Sequence, residues 1–124
     1  VPENVELVKS FNESEDVWMK AYNKWYDTYL EEGLSEALQE TNLPWTINRK
    51  GSMISLHFTN EAVRDFDSAG AGANDYFKKF FHGMLDRGIY LPPSAYESWF
   101  LNAALRDTDI EKTIKAAKEV FNTL

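Results

Sequence analysis

Apolar side chains recur every three or four positions between residues 14 and 42, which is the spacing of one face of an α-helix. This stripe consists of Trp18, Tyr22, Trp25, Tyr29, Leu30, Leu34 and Leu38. Ser14 is a suitable N-cap, and Leu43-Pro44 ends the pattern because proline disfavours helical backbone at the preceding residue. The pattern predicts a long helix over residues 14–42, preceded by a weakly patterned lead-in over residues 1–13. Gly33 within it indicates a close contact or a bend.

Two short runs after the proline alternate apolar and polar residues, as β-strands with one buried face do. They cover residues 45–49 and 53–59 and are separated by a turn around Lys50-Gly51, so we expect a hairpin with one face buried. Residues 99–103 predict a further strand, and residues 89–91 predict a short one.

The second half of the chain returns to helical spacing twice. A helix is predicted from Asn74 or Asp75 to the stop signal at Arg87-Gly88, after a loop of small residues at 67–73. A capping box at Thr108-x-x-Glu111 opens the last helix. Its expected core face consists of Ile110, Ile114, Ala117 and Phe121.

Together these elements predict a single α+β domain over residues 1–124. We expect a small, mostly antiparallel sheet of three to four strands with helices packed on one face. Residues 43–124 would supply the sheet and two helices besides the long one.

Composition excludes several functional classes. The net charge of −7 and the pI near 4.8 argue against a nucleic-acid partner, which requires a basic surface. The chain has no cysteine, which excludes thiolate metal sites and a cysteine nucleophile. No apolar run is long enough to cross a membrane, and the first residues do not resemble a signal peptide, so a cytoplasmic location and no membrane partner are expected.

Motifs for self-contained catalysis are absent from the sequence. His57 and His82 are expected to be ordinary, partly exposed side chains, and no metal site is predicted. Residues 88–100 are less ordinary, because two prolines stiffen a non-helical stretch that carries Ser94 and Glu97. A carboxylate on a stiff loop could serve a binding site, but a solvated loop glutamate gives the same pattern.

Several motifs, in order and at matching spacing over about residues 29–124, resemble a known family. They are Gly51-Ser-Met-Ile-Ser-Leu-His-Phe-Thr59, Tyr76-Phe-Lys-Lys-Phe-Phe-His-Gly-Met-Leu-Asp-Arg-Gly-Ile-Tyr-Leu-Pro-Pro-Ser94, Tyr96-Glu97 with Phe100, and Asp109-Ile110-Glu111. The chain resembles the C-terminal region of the glutamate-1-semialdehyde 2,1-aminomutases, which are class III aminotransferases of fold type I.

The resemblance implies a division of labour. In such enzymes a large domain holds pyridoxal 5′-phosphate (PLP) on a lysine, the small C-terminal domain covers the active site, and the full-length chains form homodimers. The family reaction gives 5-aminolevulinate for tetrapyrrole synthesis. By position, Glu97 corresponds to a substrate-side carboxylate. The substrate-binding positions that the resemblance implies are Ser94, Tyr96, Gly51, Ser52 and Met53. No cofactor-binding residue is implied in this chain, so the isolated chain is expected to be inactive and to expose apolar surface where the large domain packs.

Two alternatives stay open. Where the family commonly has Ala-His-Thr, this chain has Ala104-Leu105-Arg106, and the bulky Trp99 lies close to Glu97. These departures favour a related PLP-dependent aminotransferase with another substrate. The weaker match of residues 1–28 leaves room for a free-standing, non-catalytic binding domain.

Overall fold

The computed structural model describes residues 28–72 and 74–124. Helix α1 occupies residues 28–39 of this part, and the predicted helical residues 14–27 lie outside it. The remaining elements are β1 (Thr46–Lys50), β2 (Met53–His57), α2 (Phe66–Gly70), α3 (Asn74–Asp86), β3 (Trp99–Phe100) and α4 (Asp107–Phe121).

Helix α1 ends before the predicted residue 42 because Thr41 closes its last turn. The Thr41 backbone N–H and hydroxyl both donate to the carbonyl oxygen of Leu38, at 3.0 and 2.7 Å. The same hydroxyl oxygen accepts from the N–H of Leu43. These bonds satisfy groups that a helix terminus leaves unpaired, and the chain leaves the helix axis here.

The three strands form one antiparallel sheet in the order β1-β2-β3. Lys50 pairs with Met53, so the hairpin loop has only two residues. Gly51, the first of them, has a φ of 57°, which a two-residue hairpin of the primed type requires and which glycine adopts readily. The predicted hairpin is therefore confirmed.

The core lies between one face of the sheet and the three longer helices. Ile54, Leu56 and Phe58 point into it from the second strand and its end. The ring of Phe80 on α3 stacks on that of Phe121 on α4, with centroids 5.0 Å apart. Helices on one face of a small antiparallel sheet make the α+β fold that the sequence predicts.

The expected loop at 67–73 is partly helical, so three helices and not two follow the hairpin. Asp65 caps α2, because its carboxylate accepts the N–H of Ser68 at 2.8 Å and the Ser68 hydroxyl accepts the N–H of Asp65 at 3.1 Å. This reciprocal capping box offsets the weak helix propensity of a glycine-containing stretch.

The predicted strand at 89–91 does not form, because its first N–H belongs to the end of α3. Gly88 has a φ of 81°, and the N–H of Ile89 reaches back to the carbonyl of Met84 at 2.9 Å. This is a Schellman-type helix end. The stop signal at Arg87-Gly88 is confirmed, and the chain then runs to the prolines without pairing in the sheet.

Two boundaries near the C-terminus also differ from the prediction. Strand β3 stops at Phe100, because Asn102 folds the chain into a turn by accepting the N–H of Ala104 on its side-chain oxygen. The N-cap of helix α4 is Arg106, two residues before the expected N-cap Thr108, and the carboxylate of Asp109 accepts the N–H of Arg106 at 2.8 Å.

Candidate functional site

Glu97 ends a tight turn that begins at Ser94. The N–H of Glu97 donates to the carbonyl oxygen of Ser94 at 3.1 Å, and the N–H of Tyr96 donates to the Ser94 hydroxyl oxygen at 3.2 Å. Two prolines precede the turn and fix φ there. The Glu97 side chain is exposed, so a rigid backbone presents its carboxylate outward.

Tyr96 packs against α2. Its ring stacks on that of Phe66 with centroids 4.5 Å apart and planes 13° apart. A Cβ placed on Gly70 would lie 2.7 Å from the Tyr96 hydroxyl oxygen, so a larger residue there would push the Tyr96 ring aside. The predicted substrate-binding tyrosine therefore also ties the Glu97 turn to the short helix.

An open cavity of about 600 Å³ adjoins the turn, and Glu97 is among the residues that line it. Its apolar wall includes Tyr90, Trp99, Phe100, Leu101 and Leu105. The wall is concave, mostly apolar and supplied with a few charges, as ligand sites commonly are.

Two charged residues of this cavity are not among those predicted from the sequence. Asp109 and Lys112 line it from the first turns of α4. Hydrogen bonding to the Arg106 guanidinium lowers the pKa of Asp109, and the two groups form an ion pair at 3.3 Å. Asp109 and Lys112 are three residues apart and therefore lie on one face of the helix, and this spacing is the sequence signal that could have grouped them.

Gly51, Ser52 and Met53 lie at the opposite end of β2 from the Glu97 turn. The Ser52 carbonyl oxygen accepts the N–H of Leu101 at 3.0 Å, and Met53 pairs with Phe100. The structure thus places the predicted site residues in two groups. Phe100 connects them, because it neighbours Met53 and also lines the cavity beside Glu97.

The two histidines differ in environment. His82 is exposed, as expected, and its ring meets that of Phe81 edge-on. His57 is only 8% exposed, so the expectation of a partly exposed side chain is wrong. Its Nε2 lies 3.1 Å from the Ser55 hydroxyl oxygen, and burial lowers its pKa. His57 is the last residue of β2 and pairs with Thr46, whose hydroxyl holds the segment that follows the strand through the carbonyl oxygens of Thr59 and Glu61; the burial therefore comes from the chain around this end of the strand.

The described residues do not fit a PLP site of their own. A Schiff-base lysine acts from an enclosed pocket that lowers its pKa. The six lysines that the structure describes are all exposed: Lys50, Lys78, Lys79, Lys112, Lys115 and Lys118. Within residues 28–72 and 74–124 there is also no cluster of histidine and carboxylate side chains suited to a metal ion, and no helix with the length and apolar character of a membrane span.

Comparison with known proteins relates the chain to one group of enzymes. It is 44% identical over 118 residues to a glutamate-1-semialdehyde 2,1-aminomutase of Flavobacterium psychrophilum, covering 95% of this chain and 27% of that protein. It is 50% identical over 92 residues to the Thermus thermophilus aminomutase, covering 74% of this chain and 22% of the relative. The chain is therefore similar, over most of its length, to glutamate-1-semialdehyde aminomutases. It spans about a quarter of the length of these relatives.

Solved structures of two enzymes share the fold of this chain. A Pseudomonas aeruginosa glutamate-1-semialdehyde aminomutase, determined in complex with PMP, matches 96% of the chain with a TM-score of 0.76 at 22% identity, over 26% of its own length. A β-phenylalanine aminotransferase from Variovorax paradoxus matches 94% of the chain with a TM-score of 0.67 at 16% identity, again over 26% of its length. No protein-family model matches the chain.

Proposed function

We propose that this chain is the C-terminal domain of a PLP-dependent aminomutase that converts glutamate-1-semialdehyde to 5-aminolevulinate. The observation that carries the proposal is the 44% identity to an aminomutase over 95% of the chain. The remainder of the enzyme would hold the cofactor, because the described lysines are all exposed. PLP would supply the electron sink for amino transfer, and two full-length copies would form a dimer in the cytoplasm.

Within that enzyme, the residues of this chain would hold and orient the substrate. Glu97 would present a fixed carboxylate to a substrate amine or to a proton in transfer, supported by its rigid turn beside the cavity. Ser94 would hold the turn through its hydrogen bonds, and Tyr96 would brace it against α2. Gly51, Ser52 and Met53 would approach the substrate from the other end of β2.

A chimera tests this proposal. The matching quarter of the F. psychrophilum aminomutase is replaced by this chain, and conversion of glutamate-1-semialdehyde is measured. We expect conversion within about tenfold of the parent, since the chain would supply an equivalent domain. A chimera that is folded and loaded with PLP, as its visible absorbance shows, but makes no 5-aminolevulinate would contradict the proposal. The matched control carries the corresponding segment of the V. paradoxus aminotransferase.

The role of Glu97 is tested in the same chimera by Glu97→Gln. Loss of the charge should lower kcat by about 100-fold, the usual contribution of a positioned acid or base. Glu111→Gln is the matched control, because Glu111 is an exposed glutamate on α4. Equal turnover of the two variants would show that Glu97 is a solvated loop residue with no role in the reaction.

An aminotransferase with a different substrate is the second candidate. Trp99 and Leu105, which mark the departures from the family pattern, both line the cavity beside Glu97. Their bulk would change which substrate fits. A chimera that is inactive on glutamate-1-semialdehyde but transfers amino groups from another donor, such as β-phenylalanine, would favour this candidate.

The isolated chain should neither bind PLP stably nor transaminate. Mixing the purified chain with PLP should leave no lasting visible absorbance of a lysine-bound cofactor after gel filtration. A stable band would contradict this expectation. If borohydride then removed the band and left the cofactor covalently attached to a lysine of this chain, the cofactor site would lie within the chain itself.

A further inference from the structure

His57 lies at a joint between several elements. Among the residues that the structure describes, it is the only buried one with a titratable side chain. It lines a small cavity of about 10 Å³ at the end of β2. The residues that line this cavity from other elements belong to α2 and its end, to α3 and to the Glu97 turn: Ala69, Gly72, Asn74, Phe77 and Ala95. We call this meeting point the His57 joint.

The Glu97 turn is attached to the joint at two points. Ala95, within the turn, lines the cavity together with His57. Tyr96 stacks on Phe66 of α2, with ring centroids 4.5 Å apart. The chain that leaves α2 lies against the end of β2, because a Cβ on Gly72 would be 3.8 Å from the carbonyl oxygen of Phe58. A movement of α2 away from β2 would therefore also move the turn and its carboxylate.

The joint suits a neutral imidazole and not a charged one. Nε2 of His57 lies 3.1 Å from the Ser55 hydroxyl oxygen, which is the one hydrogen-bond partner of the ring within the described part of the chain. A protonated ring has two N–H donors and a charge, and a buried charge without a partner is unfavourable. The cavity holds at most about one water molecule. Burial accordingly lowers the pKa of His57.

No charged side chain among residues 28–72 and 74–124 lines the joint and could offset a proton there. The titratable groups on the surrounding segments are exposed or half-buried and lie outside the cavity lining: Glu61, Arg64, Asp65, Asp67, Asp75, Tyr76, Tyr96 and Glu97. On β1, the residue that pairs with His57 is the uncharged Thr46, while Arg49 and Lys50 pair at the other end of β2. A proton on His57 is therefore accommodated only when the joint opens to water.

We propose that His57 is a proton-controlled latch for the Glu97 turn: the neutral ring keeps β2, α2 and the turn together, and the protonated ring releases α2 and the turn. His57 is then a positioning residue, because it acts on the reaction through Glu97. That consequence for the reaction rests on the proposed function, in which Glu97 faces the substrate. The latch itself requires only the joint.

Hydrogen exchange of single amides tests the latch in the whole 124-residue chain by NMR. The reporters are the N–H of Ala71, which donates to the Asp67 carbonyl oxygen at 3.1 Å, and the N–H of Glu97. The N–H of Leu101 is the matched control, because it donates to the Ser52 carbonyl oxygen at 3.0 Å, at the other end of β2. Each rate is divided by that of an unstructured peptide at the same pH, which gives a protection factor.

Protection of the two reporters should fall by up to about tenfold relative to Leu101 between about pH 7.5 and about pH 5.5. The reason is that the opened joint gives His57 its ordinary pKa of 6.5, so that the open state gains a proton over this range. The His57 ring signals of the same spectra should titrate with the same midpoint as the loss of protection. Reporters that follow Leu101 at both pH values, or a different midpoint, would overturn the proposal.

Two variants without a titratable ring separate the latch from other acid effects. His57→Gln keeps a polar side chain, and His57→Phe keeps an aromatic ring. In whichever of them folds, protection of Ala71 and Glu97 should change with pH no more than that of Leu101. His82→Gln is the control, because it removes the exposed histidine and should keep the full effect. A pH effect that persists in the His57 variants would assign it to other groups and overturn the proposal.

Turnover of the chimera separates failure of the latch from failure of the proposed function. The ratio of kcat at about pH 7.5 to kcat at about pH 5.5 should be larger in the chimera than in its His57→Gln variant, by up to about tenfold. Equal ratios in an active chimera would overturn the positioning role of His57. A chimera that is inactive at every pH, while the reporters of the chain lose protection as expected, would refute the proposed function and leave the latch standing.

Discussion

At the scale of single residues, Gly83 of α3 lies directly against Val120 of α4. A Cβ placed there would lie 2.8 Å from Cγ1 and 3.0 Å from Cγ2 of Val120, which is fully buried. Gly83→Ala should therefore destabilise the fold by about 1 kcal/mol, because an overpacking cost of 1–3 kcal/mol exceeds the gain of about 1 kcal/mol in helix propensity. Chemical denaturation measures this difference.

His82→Ala is the control for that measurement, since His82 is exposed on the same helix. The His82→Ala substitution raises helix propensity without a steric clash, so the free energy of unfolding of this variant should stay within about 0.5 kcal/mol of the parent. A Gly83→Ala variant more stable than His82→Ala would show that the two helices separate at little cost.

The role of a single residue can be predicted from the sequence when it depends only on the local backbone. Gly33 indicates a close contact because glycine is unfavourable in a helix, and the structure places it against Ile114. The burial of His57 is not readable in this way, because it depends on which segments cover β2. The sharing of one cavity by Glu97, Asp109 and Lys112 likewise depends on tertiary packing of distant segments.

At the scale of elements, α2 is held by its capping box and by the stacking of Tyr96 on Phe66. Tyr96→Ala should loosen this five-residue helix, because an aromatic pair contributes about 0.5–1.5 kcal/mol beyond its buried area. The amides of Ala69 and Ala71, which bond within the helix, should exchange with solvent deuterium up to about tenfold faster.

Tyr96→Phe separates the ring from the hydroxyl. It keeps the stack, so amide exchange in α2 should match that of the parent. Faster exchange in both variants would assign the effect to the hydroxyl at Gly70, and no change in either would show that the capping box alone holds the helix.

Elements with strong periodicity are predicted well from the sequence, and short ones are not. The start of α3 at Asn74 and its stop at Gly88 follow from its apolar stripe and a glycine with positive φ. Helix α2 is missed because its small residues are typical of loops, and its contact with Tyr96 depends on tertiary packing. Residues 89–91 have strand propensity, but the helix end takes up the first N–H of that stretch.

At the scale of the whole molecule, burial of His57 makes stability depend on pH. Burial holds the pKa of His57 in the folded protein below its ordinary value of 6.5, so the unfolded chain binds the proton more tightly. The contribution of neutral His57 to the free energy of unfolding is therefore fully present above pH 6.5 and is lost as the pH falls below this value. The lowered pKa values of Asp65 and Asp109 act only near or below 3.8 and so leave this window unaffected.

Thermal unfolding at about pH 7.5 and about pH 5.5 checks this expectation. The parent should be less stable at the lower pH, and His57→Gln should reduce the difference. His82→Gln is the control, because His82 is exposed and should leave the difference unchanged. The same pH dependence in all three proteins would assign it to groups other than His57.

The strand order β1-β2-β3 has one more consequence for the molecule as a whole. In the part of the chain that the structure describes, β1 is a five-residue edge strand and β3 is a two-residue one. An exposed edge strand has unpaired backbone N–H and C=O groups, to which strands of other molecules can bind and so cause aggregation. Here β1 ends in two cationic residues, Arg49 and Lys50, and Arg49 is paired with Glu31. A strand added at this edge would have to pair beside these charged residues, which disfavours its addition, so the charge pattern of β1 opposes aggregation through the longer edge of the sheet.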